Sequence, residues 1–180
     1  GPTRGSASGP TTGGTLAAHA ASYPQLARDV VGMAFVSPNL AVDNPAAPLL
    51  EGGFAATIAR ALIGEERSFE PGSPDHAFYW TETYPTIALV RLGALLRETR
   101  ARDYAAVRVP ALVLLNPEDQ VISPEAAQDF FADWGGPAEV VLLDLVPGTD
   151  SHVLAGDIRG PGMTDEVTER ILTWAGGLQD

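Results

Sequence analysis

The sequence predicts an α/β fold, a parallel sheet flanked by helices, and three observations carry that expectation. Apolar runs of strand length recur: VVGMAFV over Val30–Val36, VPALVLL over 109–115 and EVVLLDL over 139–145. Continuous rather than alternating apolarity suits strands covered on both faces. Helical patterns alternate with the last two runs, and strand–helix–strand–helix order implies right-handed crossovers between parallel strands. Between the first and second runs, residues 49–102 carry helical periodicity and no strand signal.

Taken in order, residues 1–14 hold five Gly and two Pro among Ser and Thr, and read as loop or flexible leader. Residues 15–22, TLAAHAAS, are small enough for a short, closely packed helix. The first strand stops at Ser37-Pro38, and residues 39–48 form a Pro- and Asn-rich loop. In the helical block, breakers fall at Gly64, at PGSP over 71–74 and at Pro85. Phe54, Ile58, Ala61 and Leu62 make one amphipathic stripe; Ile87, Val90, Ala94 and Leu95 make another. Ser123-Pro124-Glu125 supplies an N-cap, a Pro at the first helical position and an acid in the first turn. The helix it opens buries Ala127, Phe130, Phe131 and Trp134 and stops at Gly135-Gly136. Thr164, with Asp165 and Glu166, opens a last helix with the stripe Val167, Ile171, Trp174 and Ala175, closed at Gly176-Gly177.

Composition narrows the function. The 180 residues are 45% hydrophobic and 19% charged, an ordinary globular balance long enough for a sizeable core. Eleven Lys+Arg against 23 Asp+Glu give a net charge of −12, which argues against nucleic acid and anionic membrane surfaces. With no cysteine, thiol catalysis, disulfides and Cys-based zinc sites are excluded. No apolar run reaches membrane-spanning length, and no signal-peptide pattern opens the chain, which favours the cytoplasm. The first residue is Gly, so a processed chain or a fragment of something longer is expected.

In open parallel sheets, chemistry sits in loops beyond the carboxyl ends of the strands. NPEDQV follows the 109–115 run and places Asp119 four residues beyond it; VPGTDSHV follows 139–145 and contains His152. Alone, Asp119 is as readily a turn or helix cap, and a lone loop His is more often structural. Together they occupy corresponding loops of strands one crossover apart, acid before base, which is the acid–base half of a hydrolytic triad. Asp150 is the substitute acid; Asp150 and Asp157 flank the His and are placed to orient its loop, while Asp144 belongs to a strand. His19, in the Ala-rich helix, and His76, beside Phe78-Tyr79-Trp80, read as structural. The aromatic trio suits an acyl pocket or, more commonly, packing. Three scattered His and no Gly-rich phosphate loop with a Lys give no metal or cofactor site.

The motifs resemble the α/β-hydrolases. VPALVLLNPEDQVI is similar to the segment whose strand delivers the triad acid, SHVLAGD to the one carrying the triad His, and GPTTGGTLAAHAA over 9–21 to the G-x-S-x-G-G nucleophile elbow and its helix. Residues 49–102 sit where that family inserts a cap. The likeness covers most of 9–177 and lies nearest the esterase, monoacylglycerol-lipase and serine-aminopeptidase-like members. It implies the C-terminal part of an α/β-hydrolase fold: 1–48 as leader, elbow, elbow helix and first strand; 49–105 as a helical cap; 106–180 as the core carrying acid and base. It also implies hydrolysis of a small carboxylic ester or acyl substrate without a cofactor, through Asp119, His152 and Thr11, with the Thr12 N–H in the oxyanion hole.

The sequence departs from that family at points that keep rivals open. Thr11 stands where Ser is expected, and its methyl crowds a strained turn. Ser6 and Ser8 do not fit G-x-S-x-G, and residues 1–8 do not resemble the buried strand that precedes an elbow. An N-terminal half that the family would supply is missing, so self-association, or a need for such a partner segment, is expected. The rivals to an ester hydrolase are a non-catalytic binding module of the same fold and an inactive fragment.

Overall fold

The computed structural model describes residues 5–43 and 54–178, the side chain of Ser8 excepted. Expectations for the leader at 1–4 and for 44–53, the end of the Pro-rich loop and the start of the helical block, lie outside the described residues. The elements in chain order are β1 (Gly5–Pro10), α1 (Thr11–Ala21), α2 (Pro24–Ala27), β2 (Val30–Val36), α3 (Ala55–Ile63), β3 (Glu66–Ser68), α4 (Pro74–Tyr79), β4 (Thr83–Pro85), α5 (Ile87–Arg100), β5 (Ala111–Leu115), α6 (Pro124–Ala132), β6 (Ala138–Leu142) and α7 (Thr164–Gly177). A turn of 3₁₀ helix, Pro161–Met163, leads into α7.

Strands β1, β2, β5 and β6 are neighbours in that order, and every pairing is parallel. Alternation along β5 divides the core in two, because successive side chains of a strand face opposite sides of the sheet. Ala111, Val113 and Leu115 join Met33, Phe35, Ala127, Phe131 and Trp134 in one cluster. Leu112 and Leu114 join Leu143, Leu154, Met163 and Val167 in the other. All five β5 residues are buried, and each large apolar side chain removed from water contributes roughly 1.5–3 kcal/mol. The first cluster is aromatic at its centre: Phe35 lies 4.9 Å from Phe131 and 6.1 Å from Trp134, whose indole N–H donates to the Val109 carbonyl at 2.8 Å. On the other face, α7 approaches β2 so closely that a Cβ on Gly32 would lie 2.7 Å from the Trp174 ring.

The structure corrects the leader. Gly5–Pro10 is a strand, in register with β2 from Ser6↔Gly32 to Pro10↔Val36. GSASGP lacks the bulky apolar residues that mark a strand, and at Gly9 α1 leaves no room for one: a Cβ there would lie 2.8 Å from the Gly13 carbonyl carbon. Helix α1 correspondingly begins at Thr11 rather than at residue 15. Strand β6 ends at Leu142, short of the expected 145. Ser123 caps α6, accepting from the Ala126 N–H at 3.1 Å, but Thr164 does not cap α7. The Thr164 hydroxyl instead accepts from the Gly156 N–H and donates to the Gly160 carbonyl, which ties down the turn before the helix.

The chain divides into two compact units, one of Gly1–Asp43 with Thr99–Asp180 and one of Asn44–Glu98. The second contains an antiparallel β3–β4 pairing that helical periodicity does not reveal. Its stripes are displaced from those expected. In α3 the buried residues are Ala55 and Ala59, whereas Phe54 and Leu62 are exposed. In α5 the buried side chains include Leu96 and Thr99, and Ile87 lies at the exposed end.

Candidate active site

The site grows from the junction of β1 and α1. A strand that turns directly into a helix reverses the chain within one residue, and Thr11 takes that turn with φ at 47°. For a β-branched residue this left-handed region is costly, so neighbouring structure must hold it there. The Thr11 carbonyl accepts from the Asn39 N–H at 3.1 Å and, at 3.5 Å, lies within reach of the buried Thr15 hydroxyl. Thr15 also donates to the Asn39 carbonyl, so α1 and the segment after β2 close on the turn together. Small residues permit this: a Cβ on Gly14 would come within 3.0 Å of both the Gly9 carbonyl and the Pro38 ring.

The acid comes from the loop after β5. Asp119 has no exposed side-chain surface. Its Oδ1 accepts from the N–H groups of Val121 at 2.8 Å and Ile122 at 3.0 Å, while Oδ2 accepts from His152 Nδ1 at 2.8 Å. One oxygen caps the turn and the other accepts from the ring.

His152, 8% exposed, lies in the loop beyond β6. Because a carboxylate only accepts, a neutral ring here carries its proton on Nδ1 and a lone pair on Nε2. The Thr11 hydroxyl lies 2.8 Å from that Nε2 and donates to it. Three side chains from the carboxyl ends of three parallel strands thus form one chain of hydrogen bonds, hydroxyl to imidazole to carboxylate. Thr12 is the second residue of α1, among the first amides of the helix, which have no intrahelical acceptor.

Asp150 is not an alternative partner for the ring. Its Oδ1 accepts from the N–H groups of His152 at 2.9 Å and Val153 at 2.8 Å, and its Oδ2 pairs with Arg159. Partial burial pushes the carboxyl up, but the Val153 and His152 N–H groups and the Arg159 guanidinium outweigh it and hold Asp150 below its ordinary value. Asp144 and Asp157 are exposed. His19 Nδ1 faces the Thr99 hydroxyl at 3.3 Å, and its ring tilts against Tyr23. His76 accepts from the Gly72 N–H on Nδ1 at 3.1 Å and packs between Phe69 and Trp80. Phe78 and Tyr79 are 80% and 68% exposed and pack edge to face on each other, while Trp80 packs on His76. Ser6 lies exposed on β1. Among the described residues, no group of three His, Asp or Glu is placed to hold a metal ion, and no helix is long and apolar enough to cross a membrane.

Sequence reasoning passes over three residues of this site. Asn116 and Arg159 carry ordinary turn and surface signals, and Thr15 reads as one more small residue of the helix. A buried Thr four residues after the elbow position is the only local hint.

The architecture is that of the α/β-hydrolases. A monoacylglycerol lipase from Paleococcus ferrophilus superimposes with a TM-score of 0.68 at 16% identity, over 95% of this chain and 67% of its own. The monoglyceride lipase of Saccharomyces cerevisiae gives 0.65 at 12% identity, over 95% and 61%. A metagenome-derived lipolytic enzyme gives 0.62 at 17%, over 93% and 62%. The chain therefore spans roughly six-tenths of the length of these structures, and at such identities the likeness is one of fold. No protein-family model matches the sequence, and no curated protein matches it as a relative.

Proposed function

We propose that the chain hydrolyses a small carboxylic ester through an acyl-enzyme on Thr11. The observation that carries this reading is the unbroken Thr11–His152–Asp119 arrangement, with 2.8 Å at each link. His152 Nε2 takes the hydroxyl proton as Thr11 Oγ1 attacks the ester carbon, and the Thr12 N–H donates to the oxyanion. Collapse of that intermediate breaks the bond to the alcohol oxygen, which receives the proton from His152. Water then attacks the acyl-Thr11, again losing its proton to Nε2, and the acid leaves with the hydroxyl restored. Asp119 holds the tautomer and stabilises the imidazolium. The unit Asn44–Glu98, inserted between β2 and β5, is read as the cap of such an enzyme on its place in the chain.

The lipolytic activities named for the structural neighbours agree with this chemistry and suggest an acyl ester as substrate. A binding module of the same fold is the second reading, favoured by the extra methyl on the Thr11 nucleophile.

The experiment is reaction of the full chain with an alkyl fluorophosphonate, followed by mapping of the phosphonylated residue by mass spectrometry, alongside hydrolysis of short p-nitrophenyl esters. Labelling at Thr11 that His152→Ala prevents, with slow turnover that Thr11→Ser accelerates, is the expected result. Absence of labelling, or labelling elsewhere, removes the enzymatic reading in favour of the binding module.

A further inference from the structure

The peptide group joining Ser151 to His152 is gripped on both edges. Its N–H is held by Asp150 Oδ1, as described, and its carbonyl accepts from Asn116 Nδ2 at 2.8 Å. Asn116 belongs to the other loop, the one that ends in Asp119. Its Oδ1 accepts from the Glu118 N–H at 3.0 Å, and its backbone carbonyl accepts from the Asp119 N–H at 3.2 Å. The residue is 5% exposed, so these bonds form away from competing water.

From this we infer that Asn116 is a positioning residue that sets Asp119 and His152 at their working separation. One side-chain amide fixes both loops at once: its oxygen shapes the turn that presents Asp119, and its nitrogen fixes the orientation of the peptide plane from which His152 projects. Only a side chain with a donor and an acceptor at this length can do both. Aspartate keeps the acceptor for Glu118 but sets oxygen against the Ser151 carbonyl; alanine keeps neither bond. A tilt of that peptide plane swings the imidazole about its own backbone, and both ring nitrogens move off partners now at 2.8 Å. The consequence for turnover rests on the proposed ester hydrolysis; the consequence for the Asp119–His152 bond does not.

The test uses the full chain with Asn116→Asp and Asn116→Ala, and proton NMR of the hydrogen-bonded His152 Nδ1–H, assigned by its loss in His152→Ala. The expected result is a sharp far-downfield ring N–H in the unmutated chain. In both variants it is broadened or lost while the thermal melt stays cooperative. Ester turnover should then fall by about 10- to 100-fold in kcat, with KM changed far less, as expected for misplacement of a reacting group. An unchanged ring resonance in both variants would overturn the proposal. If neither variant melts cooperatively, exchange of the Asn116 side-chain amide protons in the unmutated chain decides: slow exchange supports the clasp and free exchange overturns it. If no ester is turned over by any form, the functional reading fails, and the NMR result still judges the clasp.

Discussion

Asp150 and Arg159 hold each other at two points: the Arg159 guanidinium pairs with the Asp150 carboxylate, and the Asp150 N–H donates to the Arg159 carbonyl at 2.9 Å. Between them they close the loop that carries His152. With its carboxyl held below the ordinary value of 3.8, Asp150 contributes stability that is fully present above that pH and is lost as pH falls through the lowered value. Asp150→Asn keeps an acceptor for the two amides but removes the charge. The variant should melt lower than the unmutated chain at pH 6, by about 1–2 kcal/mol, and the gap should narrow toward pH 3. Melting curves at the two pH values check both parts.

Asp119→Asn tests the tautomer. The substituted side chain would still accept from the Val121 and Ile122 amides with its one oxygen, so the turn survives. Its NH₂ would now donate to His152 Nδ1, forcing the ring proton onto Nε2, where it can no longer accept from the Thr11 hydroxyl. Ester turnover should drop by about four orders of magnitude, the scale of the same exchange in a Ser-His-Asp triad, with fluorophosphonate labelling of Thr11 slowed in parallel. Near-normal turnover would mean that Asp119 serves the turn alone.

The elbow glycines should respond unequally. A methyl at Gly9 meets backbone atoms of Gly13 and Gly14 at 2.8–3.0 Å, whereas one at Gly13 finds only the Pro10 ring at 3.9 Å. Gly9→Ala should destabilise the chain by about 1–3 kcal/mol and displace α1 from β1. Gly13→Ala, on an exposed helical position, should be neutral or stabilising by about 0.5–1 kcal/mol. Denaturant unfolding of both variants separates these outcomes, and equal effects would contradict the close approach of helix to strand.

The parts of this fold legible in the sequence are those where burial on both faces leaves a continuous apolar run, as in β2 and β5. The loop beyond β5 is legible for the same reason, since it begins where its run stops. The run over 139–145 outlasts β6, an edge strand with Val140 and Leu142 exposed, but Asp119 and His152 still stand out in the two loops as the reactive side chains. Strand β1 is hidden because its residues are small, and at Gly9 the close approach of α1 requires it. The α3 stripe misleads because periodicity reports that a helix has an apolar side, not which residues a neighbour covers; small Ala55 and Ala59 are buried while Phe54 and Leu62 stay exposed. Asn116 is invisible for a different reason: Asn-Pro is an ordinary turn signal, and the residue it contacts is 35 positions away.

The spacing of the three site residues along the chain bears on the order in which the site comes together. Asp119 and His152 are separated by 33 positions, spanned by α6, β6 and the loop that follows, whereas Thr11 lies 141 positions from His152. Closing the longer span costs about 1 kcal/mol more in loop entropy, and contacts of such separation slow folding. The carboxylate and imidazole can therefore meet within one contiguous stretch of chain. The hydroxyl, at the end of β1, is tied to them through the pairing of β1 with β2 and of β2 with β5, and the second pairing joins strands that lie on either side of residues 44–98 in the sequence.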